Sequence, residues 1–184
     1  EEIDEKVLSV ISANGLINYL KDTQKIQLEH INKINIYSVE KYMSLDLNTR
    51  RNLELTEKMR DKSKKGTLLW VLDKTSTSMG GRMLRRWIND PLIDVSEINK
   101  RLDSVKELVG SQMLKGEVVD SLKKVYDIER LIGKISYGNA NGRDLISLKN
   151  SVKQLPEIKQ ILSKTESGLL QELYEELDIL DDIY

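Results

Sequence analysis

Three guanidinium groups sit within five residues at Arg82, Arg85 and Arg86, with Trp87 directly after them. An arginine presents a planar fork of N–H donors that fits a carboxylate or a phosphate bidentately, so such a cluster can grip either anion. On a helix Arg82 and Arg86 share a face and Arg85 is offset from it. A plainer role competes. An amphipathic helix would bury Met83, Leu84 or Trp87 and show its arginines to solvent or to acids of a neighbouring helix.

Other constellations that could do chemistry are incomplete. Gly133 and Gly138 have the spacing of a phosphate-cradling loop, but Asn139 stands where that loop needs lysine. Asp181 and Asp182, like Glu175 and Glu176, are adjacent on a charged helix and so point in different directions. The hydroxyls from Thr75 to Ser78 have no His/Asp partners in sequence, and helix capping accounts for them more simply than nucleophilic catalysis. A single histidine, His30, cannot build a His-rich metal site.

The chain has 184 residues, enough for one large or two small domains with a sizeable core. It contains no cysteine, which excludes disulfides and thiolate ligands and fits a reducing compartment. No apolar stretch approaches the ~20 residues needed to span a bilayer, and EEIDEKVL lacks the features of a signal peptide. The expected location is the cytoplasm. Abundant Ile, Lys and Asn suggest a bacterial source.

Charge balances overall, with 29 Lys+Arg against 30 Asp+Glu, so there is no global basic field for phosphate binding. Locally it does not: residues 50–86 carry 11 Lys+Arg and 4 Asp+Glu, whereas 157–184 carry 8 acids and 2 lysines. Solvated helix faces or a contact with a charged partner would each produce this asymmetry.

The elements that must position these residues are almost all helical. Ile3, Val7, Ile11, Leu16 and Leu20 mark a first helix reaching about Asp22, with a kink or close contact expected at Gly15. Ile34, Ile36, Val39, Tyr42 and Leu45 suggest at most one short β-hairpin near residues 34–46. A Thr/Ser-rich cap precedes the arginine helix, and DKSKKG at 61–66 reads as a surface loop.

After Pro91, Asp94 and Glu97 resemble a capping box opening a helix with the stripe Ile98, Leu102, Val105 and Val109, ending at Gly110. Met113, Val118, Leu122 and Val125 mark another helix. Ile128, Leu131, Ile132 and Ile135 mark a short one ending near Gly138. A helix from Arg143 carries Leu145, Leu148, Val152 and Leu155 until Pro156 breaks it and a new helix begins. Leu169, Leu173, Leu177 and Leu180 then form a stripe on an acidic helix expected to run to the C-terminus, an end that looks cut. The expected fold is all-α, a bundle of long packed helices. On residue patterns alone the chain reads as a stand-alone helical interaction module. Direct nucleic-acid binding through the basic 50–86 region is a further alternative, disfavoured by poor aromatic interleaving.

The segments LDLNTRRNLEL, GTLLWVLDKT and MGGRMLRRW, with the PL that follows, resemble the core region of the MutS family of bacterial DNA mismatch-repair proteins. GLINYLKDTQKIQLEHI resembles the stretch joining that family's connector to its core. INKRLDSVKELV, YDIERLIGKI and NGRDLISLKNSVKQLP resemble the core helices beyond, so the likeness covers about residues 10–160. Ser78 stands where the family often has proline, and Gly81 where a larger residue is usual, leaving the turn before the arginine helix less rigid.

The resemblance implies that residues 1–184 are a core, or lever, domain whose stiff helices couple an ATPase domain to a DNA clamp and a mismatch-recognition domain. Residues 1–30 would include the helix joining the connector, and the clamp would follow Tyr184. The family's Phe-x-Glu wedge lies elsewhere, since this chain has no phenylalanine. No catalysis and no cofactor are expected in this piece; ATP and Mg belong to the parent. The implied partners are other domains of the same chain, mismatched double-stranded DNA and a second copy through the parent, and a MutL-type repair protein, with no membrane. The residues matching the family motifs are Arg50, Arg51, Asn52, Leu53, Glu54, Trp70, Asp73, Thr75, Met79, Gly80, Arg82, Arg85, Arg86, Trp87 and Pro91. They are expected to form a structural hub with Trp70 and Trp87 as buried anchors.

Overall fold

A computed structural model describes residues 7–24 and 41–181. The chain divides into two compact units, Glu1–Ser38 and Val39–Tyr184. His30 and the 34–40 part of the expected hairpin lie outside the described residues.

The first unit contributes α1, Val7–Gln24. Its apolar residues do not form a buried stripe: Val7, Val10, Ile11, Leu16 and Tyr19 are all exposed. The close contact expected at Gly15 is absent among the described residues, since a Cβ built there meets nothing within 4 Å.

Every regular element among the described residues of the second unit is a helix. Its helices are α2 Leu47–Asn52, α3 Leu68–Leu72, α4 Ser78–Asn89, α5 Val95–Gly110, α6 Gln112–Leu122, α7 Ile128–Ser136, α8 Gly142–Val152, α9 Leu155–Leu162 and α10 Gly168–Glu176. Within the described part of that expected hairpin, Tyr42 forms an isolated antiparallel bridge with Leu92. Met43 donates its amide to Pro91 O at 2.8 Å and Ile93 donates to Lys41 O at 3.3 Å. Tyr42 and its two neighbours thus pair with the extended chain around Pro91, a long-range partner that local alternation does not reveal.

Helix ends follow capping chemistry closely. Asp46, Thr67, Thr77, Asp94, Ser111, Asp127 and Asn141 each accept a backbone N–H in the first turn of α2 to α8 respectively. At α5 the cap is Asp94 as expected, and Glu97 pairs with Lys100 on its own helix. A reciprocal capping box does form at α8, between Asn141 and Asp144. The end of α7 is a Schellman turn, with Asn139 N donating to Lys134 O and Gly138 N to Ile135 O, and it uses Gly138 at φ +69. Pro156 sits in the first turn of α9, where its missing amide removes no helical bond.

Helices α5, α6, α9 and α10 close a four-member ring: α5 packs on α6, α6 on α9, α9 on α10, and α10 back on α5. Leu114, Ile161 and Leu170 are its buried apolar residues, and Ser104, Ser121 and Thr165 are buried with them. Small hydroxyl residues let the backbones approach while their own hydrogen bonds are met: Ser104 Oγ donates to Lys100 O at 3.1 Å and Ser121 Oγ to Glu157 Oε1 at 3.0 Å. Two flanking pairs, α7 with α8 and α3 with α4, bury Leu131 and Val152, and Leu69, respectively.

Two expected features differ. On α5 the residues turned toward α10 are Lys100, Ser104 and Glu107, which meet Glu172, Ser167 and the amides of Glu166 and Ser167. Leu102, Val105 and Val109 consequently face solvent, at 56–67% exposure. At the other end, α10 stops at Glu176 rather than continuing. Leu177 O accepts Lys159 Nζ at 2.7 Å, and Leu180 turns into the left-handed region at φ +55.

Candidate functional site

The family-motif residues converge on α4. Its N-terminus is cut to fit. Thr77 Oγ1 accepts Gly80 N at 3.0 Å, while a Cβ added at Gly80 would come within 3.1 Å of that oxygen, so the loop lies against the first turn. Asp73 anchors the loop: it takes Lys64 Nζ in an ion pair, and Thr75 Oγ1 donates to it at 2.7 Å. The Lys64 and Thr75 bonds hold its carboxyl down at about 2. These hydroxyls serve as caps and loop ties, as the spacing suggests.

The C-terminal end of α4 is tied to α2. Arg50 donates through one terminal nitrogen to Asp90 Oδ1 at 3.0 Å and through Nε to Leu45 O at 3.0 Å. The backbone of Pro91 then joins the Tyr42 bridge through its carbonyl. Glu54 stands in the left-handed region at φ 47 and its carboxylate accepts Met59 N at 2.8 Å, closing the turn after α2.

In the middle of α4, Arg82 reaches the start of α7. Its two terminal nitrogens donate to Asp127 Oδ2 and Oδ1 at 2.8 Å each, and its Nε donates to Glu129 Oε2 at 3.1 Å. The same Asp127 caps α7 by accepting Arg130 N at 3.2 Å. The Arg82 fork is the main reason the Asp127 carboxyl is held at about 2, and reciprocally the two acids raise the Arg82 guanidinium.

Of the family-motif residues, Arg50, Asp73, Thr75, Gly80, Arg82 and Pro91 make the contacts just described, and the others are held less closely. Arg51, Asn52 and Leu53 are exposed at the end of α2, and Arg51 and Arg85 make no ion pair among the described residues. The tryptophans correct the expectation of buried anchors: Trp70 is 47% exposed and Trp87 39%. α3 buries Leu69 instead of its indole, and Trp87 lies under the Arg101 guanidinium, 3.8 Å from the ring centroid. Sequence reasoning missed Tyr42, Lys64, Asp90, Arg101, Asp127 and Glu129. Asp127 alone carried a signal, an aspartate directly before an apolar helical stripe.

The glycine pair Gly133 and Gly138 does not form a phosphate loop. Gly133 lies inside α7, so its amide belongs to a helix rather than to an open phosphate loop. Among the described residues, no group of three or more His, Asp or Glu is placed to hold a metal ion, and no helix is long and apolar enough to cross a membrane. What the site does is brace. Capping carboxylates at helix starts also accept cations from other helices, which defines a helical scaffold module.

The family model for MutS domain III matches residues 48–183, and the chain belongs to that family. It is 54% identical over 176 residues to the DNA mismatch repair protein MutS of Alkaliphilus oremlandii, covering 96% of this chain and 20% of the relative. The MutS of Caldicellulosiruptor bescii is 50% identical over 183 residues, covering 100% and 21%. That of Clostridium tetani is 52% identical over 171 residues, covering 93% and 19%. The chain spans about a fifth of the length of the curated relatives it matches.

Proposed function

We propose that this chain is the core, or lever, segment of a bacterial DNA mismatch-repair protein, and that it couples the parent's ATPase domain to its clamp and mismatch-recognition domains. Residues 1–30 would include the helix that joins the connector, and the clamp would follow Tyr184. On this reading the parent binds mismatched duplex DNA as a homodimer, uses ATP and Mg outside this segment, engages a MutL-type partner and works in the cytoplasm. This segment contributes no catalytic group.

The observation that carries the reading is the Arg82 fork on Asp127. It joins α4 to the capped end of α7 across 45 residues of sequence. A charge-assisted bidentate contact fixes orientation as well as distance. Two helices held this way respond together to a displacement of either, which is what a transmission element requires.

The test uses the full-length parent. Arg82→Gln should slow ATP-triggered release from a mismatched duplex by roughly tenfold, the equivalent of about 1.4 kcal/mol of lost coupling, while ATP binding and mismatch affinity remain. Release at the wild-type rate in a variant that has lost the fork would contradict the reading.

A further inference from the structure

A groove of about 500 Å³ runs along α4, and its walls include Tyr42, Met79, Met83, Arg86, Trp87 and Arg101. That volume falls in the range of natural ligand sites. Its charges are unevenly committed. Asp90 and Glu129 also line it, but Asp90 is paired with Arg50, and Glu129 with Arg82. Arg86 makes no ion pair among the described residues, and Arg101 is met there only by the Trp87 ring. Stacking on an indole orients a guanidinium without using its in-plane N–H donors, so Arg101 is held ready for a bidentate acceptor.

We propose that this groove docks an acidic peptide segment in which a carboxylate is flanked by apolar side chains. The carboxylate takes the Arg101 fork with Arg86 beside it, and the apolar neighbours rest on Met79, Met83 and Tyr42. A nucleic-acid backbone has the same affinity for arginine but fits less well. Its sugars gain little from a floor of Met79, Met83 and Tyr42, which apolar side chains beside a carboxylate can cover. Arg82 and Glu129 of the brace also line the groove, but the proposal does not rest on the lever role, because its readout is peptide binding alone.

The experiment follows Trp87 emission in the whole chain carrying Trp70→Phe, a change at an exposed indole outside the groove. The probes are a short peptide alternating Leu and Asp, the same peptide with Asn for Asp, and a duplex oligonucleotide. The Leu/Asp peptide should give a saturable change, and Arg86→Gln and Arg101→Gln should each weaken it about tenfold, the usual loss for a charge-assisted hydrogen bond. Arg101→Lys should recover only part of that loss. Arg85→Gln, outside the groove, should leave binding unchanged. Equal binding of the Leu/Asn peptide, tighter binding of the duplex, or an equal loss in Arg85→Gln would each overturn the proposal. So would an unchanged affinity in Arg86→Gln and Arg101→Gln.

Discussion

Arg82 on α4 places both terminal nitrogens on the two carboxylate oxygens of Asp127 at 2.8 Å each, and that carboxylate also accepts Arg130 N as the cap of α7. One side chain therefore does two jobs, closing a helix end and receiving a distant cation. The arrangement recurs. Asp144 completes the α8 capping box and takes Lys134 Nζ at 2.7 Å, whereas Glu107 of α5 caps another helix, accepting the amides of Glu166 and Ser167 at the start of α10.

Acid should loosen the hub in a defined window. The Asp127 carboxyl is lowered from 3.8 to about 2, chiefly by Arg82, and Asp73 is lowered equally, chiefly by Lys64. A folded-state value below the unfolded one means that each contribution is complete above about pH 4 and is lost as pH falls through about 2. Urea midpoints measured from pH 6 down to pH 2 should fall in that window. Asp127→Asn should remove part of the fall and Asp73→Asn another part; an undiminished fall in the double variant would refute these assignments.

Ser151 is completely buried and ties α8 to the loop before α7: its Oγ accepts Tyr126 N at 2.9 Å and donates to Ser147 O of its own helix at 2.9 Å. Ser151→Ala leaves the Tyr126 amide without its acceptor, a cost of about 1–3 kcal/mol. Equilibrium unfolding should show that loss, whereas Ser163→Ala, at an exposed helix end, should stay within about 0.5 kcal/mol of wild type.

Glu107 replaces a local cap. Ser167, the residue at the N-cap of α10, makes no side-chain cap bond. Burial alone would raise the Glu107 carboxyl, but the hydrogen bonds from Ser167 and Glu166 outweigh it and the net direction is down. Glu107→Ala should destabilise by about 1 kcal/mol, as loss of a conventional cap does. It should also raise amide exchange in the first turn of α10; exchange unchanged there would show that the cap is dispensable.

The tryptophans give a direct optical readout of the two exposed faces on which they lie. In the isolated chain acrylamide should reach both Trp70 and Trp87, given their exposure. The isolated chain should also bind duplex DNA weakly, without mismatch preference, and hydrolyse no ATP. Tight, salt-sensitive gel-shift binding would favour a direct nucleic-acid role for the basic 50–86 region.

Helix ends were legible because capping is local: Thr77 and Asp94 at starts and Gly138 at a stop announce themselves within three or four residues of the ends they set. The arginine helix and its Thr/Ser cap were legible for the same reason. What α4 touches was not. Asp127 and Glu129 lie 45 and 47 residues from Arg82, and no local period encodes that pairing. The apolar stripes misled at Leu102, Val105 and Val109. Periodicity identifies a face, but the polar contacts of Ser104 and Glu107 decide which face of α5 turns toward α10. The tryptophans misled likewise, since large apolar residues are common at surfaces that other domains can cover.

The claim that α4 and α7 respond as one braced body is tested most directly by amide hydrogen exchange in Arg82→Gln. Exchange should rise together in the first turn of α7, around Arg130, and in the middle turns of α4, with α10 unchanged. A rise confined to α4, leaving the α7 amides at their wild-type rates, would contradict it.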